Sequence, residues 1–97
     1  MKTKQIKHVV FRTFLDDGRV IALFPFEPHD IGGRYCVSYQ NGQHGAANQH
    51  TARLPSTRPS FAAEFYSLYR ELERIGYKLK VLKRFPRNAY SVRRQKA

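Results

Sequence analysis

The chain has 97 residues and a formal net charge of +11, and 41% of its residues are hydrophobic. This length predicts one small domain, and the apolar content excludes wholesale disorder. A single cysteine, Cys36, excludes an internal disulfide and favours a reducing cytoplasm.

The apolar runs are short. The N-terminal segment has lysines but no continuous apolar stretch of signal-peptide length. The longest uncharged apolar run, residues 20–26, is far too short to span a bilayer. We therefore predict a cytoplasmic protein with no membrane partner.

The first forty residues predict three strands. Residues 8–14 (HVVFRTF) are β-branched and aromatic, and the Asp-Gly turn at Gly18 leads into residues 20–26 (VIALFPF). Every position of that second run is apolar, so we expect both of its faces to be partly covered. Residues 34–40 (RYCVSYQ) alternate as a half-buried strand does. Short connections between the three predict an antiparallel meander.

Residues 41–58 show no period of 2 or 3.6 and predict a long irregular connection. We expect this connection to be ordered and to pack on the end of the sheet. The less favoured alternative is contact with a polar partner through Gln43, His44 and Asn48, because binding residues favour loops; disorder is the third.

A helix and a fourth strand follow. The apolar stripe Phe65, Leu68, Leu72 and Ile75 has helical spacing, with Ser60 placed to cap the start and Gly76 to end it. Residues 77–85 (YKLKVLKRF) then alternate again.

The predicted fold class is therefore α+β in the order β-β-β-α-β. We expect an antiparallel four-stranded sheet of strand order 3-2-1-4, with one helix packed on one face. The domain is expected to cover residues 1–86. Residues 87–97 form a basic C-terminal tail, which is either frayed or a short helix.

The positive charge is concentrated at the two ends. Residues 1–12 contain four basic residues and residues 78–97 contain eight, with no acid in either segment, whereas residues 13–77 have six basic and seven acidic residues. This segregation favours a polyanion, either DNA or RNA, bound with weak sequence selectivity; a solubilising tail is the alternative. The candidate nucleic-acid contacts are Lys78, Lys80, Lys83, Arg84, Arg87, Arg93 and Arg94.

Other chemistry finds little support in the sequence. The histidines lack the paired spacing of zinc ligands, and Cys36 lies in mid-strand without a cue for a lowered pKa. Glu71 and Glu73 are two apart on a helix and face different ways. We therefore predict no metal, no cofactor and no enzyme; a small enzyme that uses His44 ranks last among the possible functions.

The segments VVFRTF, VIALFP, YCVSYQNGQHGAA and ELERIGYKLKVLKRF carry a resemblance. Over residues 8–86 the chain resembles a family of short proteins from bacterial mobile elements, namely phages, plasmids and conjugative transposons. Residues 42–47 (GQHGAA) are the most distinctive part. The resemblance implies a bacterial cytoplasmic setting and an accessory role in maintaining or transferring the element, but it carries over no functional residue.

The alternative function is a protein-interaction module. A small sheet with one helix often leaves a face or an edge open for a partner. Phe24 and Phe26, or the face with Tyr35 and Tyr39, are then the expected contacts.

Overall fold

The computed structural model describes residues 6–48 and 56–96, which form an α+β fold. In chain order the elements are β1 (Ile6–Phe14), β2 (Val20–Pro28), β3 (Tyr35–Gln40), β4 (Gln43–Asn48), β5 (Thr57–Pro59), α1 (Ala62–Arg74), β6 (Lys78–Val81) and α2 (Ala89–Lys96). The predicted class is confirmed, whereas the predicted count of four strands and one helix is wrong. Strands β4 and β5 had not been expected, whereas α2 is the short helix that was one of the two alternatives for the C-terminal tail.

Strands β1 and β2 form the predicted antiparallel hairpin, with Val10 opposite Leu23 and Thr13 opposite Val20. Gly18 takes a positive φ of 75° in the turn, a conformation that glycine adopts without steric cost. The backbone N–H of Phe14 donates to the carbonyl of Arg19 at 2.8 Å and closes the hairpin.

A second hairpin joins β3 to β4 and corrects the prediction of an irregular connection over 41–58. Asn41 and Gly42 both have positive φ, 51° and 76°, as a two-residue type I′ turn requires. The turn sets Gln40 opposite Gln43, and the pairing continues to Tyr35 opposite Asn48. Small residues in β4 hide the alternation of a strand, so the pairing comes from the turn and from β3. Residues 49–55 of the expected connection lie outside the described residues.

The free side of β1 is shared by two strands. Strand β5 pairs antiparallel with residues 12–14 of β1, and β6 pairs parallel with residues 6–9. The sheet order is therefore β4-β3-β2-β1, with β5 and β6 beyond β1. Strand β6 lies beside β1, as predicted for the fourth strand. The pairing is parallel rather than antiparallel because α1 first carries the chain back towards the start of β1.

Alternation along β1 and β2 builds a core on each face of the sheet. One core contains Val9, Phe11, Ala22, Phe24, Tyr39 and Leu72 and is covered by α1. The other contains Val10, Ile21, Leu23, Cys36 and Ala47, packed with Leu82 and Phe85. Helix α2 packs against β2 on this second face. Residues 21–24 are all buried, which confirms that both faces of β2 are covered.

Only the C-terminal end of α1 agrees with the prediction from sequence. Gly76 follows the helix with a φ of 116°, as predicted for a residue that ends it. At the start, Phe61 is the N-cap residue instead of Ser60. The Ser60 hydroxyl lies 2.7 Å from the Thr13 hydroxyl, and this hydrogen bond ties the segment before α1 to β1.

Candidate nucleic-acid interface

Strand β6 places a row of cations on the outer side of the sheet. Lys78 and Lys80 are exposed, whereas Leu79 between them packs in the core under α1. Lys83, Arg84 and Arg87 follow β6 and are exposed as well. We call these five side chains the basic edge: Lys78, Lys80, Lys83, Arg84 and Arg87.

The basic edge keeps its charge in the folded molecule. Glu27 accepts ion pairs from Lys7 at 2.9 Å and from Lys96 at 3.4 Å. The other described ion pairs join residues of the nearly neutral middle of the chain, such as Arg19 with Asp17 and Arg70 with Glu73. Within residues 6–48 and 56–96, no carboxylate lies within 4.0 Å of a cation of the basic edge. Folding therefore does not neutralise it.

Arg93 was predicted to contact nucleic acid, and this prediction is wrong because the residue is completely buried. Its Nε donates to the carbonyl of Gly33 at 3.0 Å, and one terminal nitrogen donates to the carbonyl of Pro25 at 2.7 Å. A guanidinium held in this way fastens α2 to β2 and to the loop before β3. The sequence counts Arg93 as one more cation, whereas its role is structural.

Arg94 remains exposed on α2. The register of β6 relates this helix to the basic edge, since Lys78 pairs with Ile6 and Lys80 with His8. Ile6 and His8 also line a cleft of ≈ 490 Å³ together with Val92 and Lys96 of α2. Paired residues in neighbouring strands point to the same face, so the lysines of β6 share the α2 face of the sheet.

The candidate polar contacts Gln43, His44 and Asn48 all lie exposed on β4. His44 Nε2 is 2.8 Å from the Tyr77 hydroxyl, and its ring meets that of Tyr39 edge to face at 4.9 Å. A hydrogen bond with Glu71 raises the pKa of Tyr39. These contacts tie β4 to the segment that precedes β6.

A notch opens where β5 and β6 share the side of β1. At one end of the notch the backbone N–H of Ser60 donates to the carbonyl of Phe11. At the other end the backbone N–H of Leu82 donates to the carbonyl of Val9. A cavity of ≈ 700 Å³ lies between them. It is lined by Phe11, Pro59, Ser60, Phe61, Ala62, Phe65, Val81, Leu82, Lys83 and Arg84. The sequence did not indicate this notch, because β5 had not been recognised.

Glu64 holds Arg58 and the backbone of Phe61 in place at the side of the notch. Arg58 donates two hydrogen bonds to its carboxylate, at 2.7 and 2.6 Å, and the backbone N–H of Phe61 donates a third at 2.8 Å. These bonds, that of Arg58 first, lower the pKa of Glu64 to about 2. The carboxylate thus remains ionised well into the acid range.

The variant Glu64→Gln is expected to lose a pH-dependent part of the stability. The pKa of Glu64 is about 2 in the folded chain and near its ordinary 4.5 in the unfolded one. Its stabilising contribution is therefore complete above pH 4.5 and disappears as the pH falls towards 2. Urea unfolding of both proteins across this range should show a stability difference that shrinks in acid. Glu73→Gln, which breaks an exposed pair with Arg70, is the control; an equal difference at every pH for Glu64→Gln would contradict this assignment.

Comparison of the chain with protein-family models, with curated proteins and with solved structures gave no match. The resemblance to proteins of mobile elements thus stays a prediction. In the described part of the chain, no helix is long and apolar enough to cross a membrane. The same residues contain no group of three His, Cys, Asp or Glu side chains that could hold a metal ion.

Proposed function

We propose that the chain binds the phosphate backbone of a nucleic acid through the basic edge, with weak sequence selectivity. One observation carries the proposal: five exposed cations follow one another along β6 and the segment after it, and no described carboxylate pairs with them. Lysine and arginine neutralise phosphates and release the counterions condensed on them, which supplies most non-specific affinity.

The spacing of the cations suits an extended backbone. Lys78 and Lys80 lie on the same side of a strand, so their Cα atoms are about 6.6 Å apart. Residues 78–84 cover at most about 22 Å when extended, a length over which a nucleic acid presents several phosphates. Arg94 on α2 adds a cation outside this row. An accessory role in a bacterial mobile element is the setting that the resemblance suggests for such binding.

Edge lysines have another common role that the experiment must separate. Lysine on an exposed edge strand discourages pairing with the edge of another sheet. If the lysines of β6 served this purpose alone, their removal would increase self-association and leave the capture of nucleic acid unchanged.

The variant with glutamine at Lys78, Lys80, Lys83 and Arg84 tests the proposal. The intact chain is expected to bind DNA or RNA with a slope of log K against log salt of roughly −3.5 to −4.5, if about five phosphates are engaged. Loss of four cations should reduce the magnitude of that slope by about 3. Fluorescence anisotropy with single- and double-stranded DNA and RNA over a salt series measures both values.

A control variant removes the same charge elsewhere. It carries glutamine at four exposed arginines outside the basic edge: Arg19, Arg34, Arg70 and Arg74. We expect its salt slope to stay near that of the intact chain. Equal losses in the two variants would reduce the proposal to an effect of net charge, and unchanged binding by the basic-edge variant would refute it.

The alternative function is a protein-interaction module, and two of the sheet-face residues expected to contact its partner are buried. Phe24 and Tyr39 are buried in the core under α1, and α2 packs on the opposite face. Neither side chain is exposed to a partner, whereas Tyr35 of the same expected set is 42% exposed. Pairing of a partner strand with an edge of the sheet stays a prediction.

A further inference from the structure

Phe61 is an aromatic residue whose position the fold does not explain. It occupies the N-cap of α1, where serine, threonine, aspartate or asparagine would satisfy the free backbone amides and phenylalanine does not. It is also 68% exposed, so it contributes little to the core. A large aromatic side chain that neither caps a helix nor fills a core is a candidate for contact with a ligand.

The ring of Phe61 is nevertheless held in place. The Arg58 guanidinium lies 4.8 Å from the centre of the ring, within the range of a cation–π contact. Arg58 is fixed in turn by its paired hydrogen bonds to Glu64, which also binds the backbone N–H of Phe61. Backbone and ring are thus fixed through one carboxylate. Such preorganisation reduces the entropy lost when a ligand is bound.

The notch beside Phe61 has the size and charge of a site for a flat anionic ligand. Its volume of ≈ 700 Å³ falls within the roughly 300–1,000 Å³ of ligand sites. Phe11 and Phe65 line it with their rings stacked at 4.5 Å. Lys83 and Arg84 line it too, and neither occurs in an ion pair among the described residues. Aromatic walls joined to unpaired cations are the combination that binds single strands of nucleic acid.

We propose that the notch receives an unpaired base of a single-stranded nucleic acid, which stacks on Phe61 while the adjoining phosphates contact Lys83 and Arg84. This inference rests on the proposed function and narrows it to single strands. The bases of a duplex are stacked on each other and reach such a site only when they are flipped out at a cost in energy. Stacking tolerates any base, which agrees with weak sequence selectivity.

Two labelled strands that differ only in their bases test the inference. One is oligothymidine of about ten nucleotides, and the other is an abasic strand of the same length and backbone charge. We expect the intact chain to bind oligothymidine roughly 5- to 150-fold more tightly. Substituting a stacking aromatic residue by alanine typically costs about that factor in affinity per base. Phe61→Ala should lose this preference and keep the affinity for the abasic strand, whereas Phe61→Tyr should retain both. Anisotropy at low salt gives the six affinities of the three proteins for the two strands.

Two further variants separate stacking from a change in the fold or in apolar contact. Tyr66→Ala removes another aromatic of α1, 62% exposed and outside the lining of the notch, and should leave the preference intact. Phe61→Leu keeps an apolar side chain without a flat ring and should behave as Phe61→Ala does. Circular dichroism confirms that each variant is folded.

The outcomes distinguish this inference from the proposed function. An intact chain that binds both strands equally, or a Phe61→Ala variant that keeps the preference for bases, overturns the stacking site and leaves backbone binding standing. Tighter binding of duplex than of single strands also overturns it. An intact chain that binds neither strand nor duplex overturns both proposals.

Discussion

Replacing Arg93 by alanine is expected to lower the free energy of unfolding by about 3–6 kcal/mol, since each hydrogen bond to a charged group contributes about 1.5–3 kcal/mol and at least two are lost. The guanidinium is completely buried and donates to the carbonyls of Gly33 and Pro25. Without it, these carbonyls lose a buried donor, and α2 loses its anchor on the sheet. In a domain of this size the melting temperature should fall by at least about 12 °C.

Thermal and urea unfolding of Arg93→Ala and Arg94→Ala form the measurement. The two residues are adjacent on the same helix and carry the same charge, but Arg94 is exposed. Arg94→Ala should change stability by no more than about 0.5 kcal/mol. Arg93→Met keeps much of the apolar stem without the donors and should fall between the two. Similar losses at positions 93 and 94 would mean that the buried guanidinium does not anchor α2.

The backbone of α2 at Arg93 packs closely against Gly33, and this contact restricts which residue can stand at position 33. Gly33 has a φ of 69°, and a Cβ there would come within 3.0 Å of the carbonyl carbon of Arg93 and the amide nitrogen of Arg94. The chain therefore needs glycine at this position both for its conformation and for the close approach of α2. Gly33 lies in the loop between β2 and β3, and the sequence of this loop does not reveal that a helix sixty residues later rests on it.

Local signals account for the elements that could be predicted. The turn at Gly18, the alternation in residues 34–40 and the glycine after α1 each act over a few residues, and the structure has the hairpin, β3 and the helix end there. Of the strand predicted over residues 77–85, only Lys78–Val81 is a strand. The same kind of signal was present at Asn41–Gly42, where the type I′ turn indicates a hairpin. The small side chains of Gly45 and Ala46 concealed the strand that follows.

Elements fixed by distant contacts could not be predicted in this way. Strand β5 has three residues and exists because β1 has an open side. Helix α2 is poor in apolar residues, and its attachment depends on buried Ala89 and Arg93. A charge count does not distinguish an arginine on the buried side of its helix, such as Arg93, from an arginine exposed to solvent. The cations of the basic edge were found from composition, whereas the notch and Phe61 appear only when β5, α1 and β6 are placed side by side.

Leu72→Ala is expected to lower the free energy of unfolding by about 3–5 kcal/mol, the cost of an unfilled cavity left by a buried leucine. Leu72 is 0% exposed and is the part of α1 that enters the core with Val9, Phe11 and Phe24. Ile75 belongs to the same predicted stripe, yet it is 51% exposed at the C-cap of α1. Ile75→Ala should therefore cost less than about 1 kcal/mol.

The comparison of these two variants tests how α1 lies on the sheet. Sequence periodicity gives Leu72 and Ile75 equal weight, because it records the face of the helix and not where the sheet beneath it ends. Urea unfolding should show a much lower midpoint for Leu72→Ala with an unchanged denaturant dependence, and a midpoint near that of the intact chain for Ile75→Ala. Equal losses would mean that α1 continues over the sheet past Arg74. That would move the Tyr77–His44 contact and the start of β6, and with them the position of the basic edge.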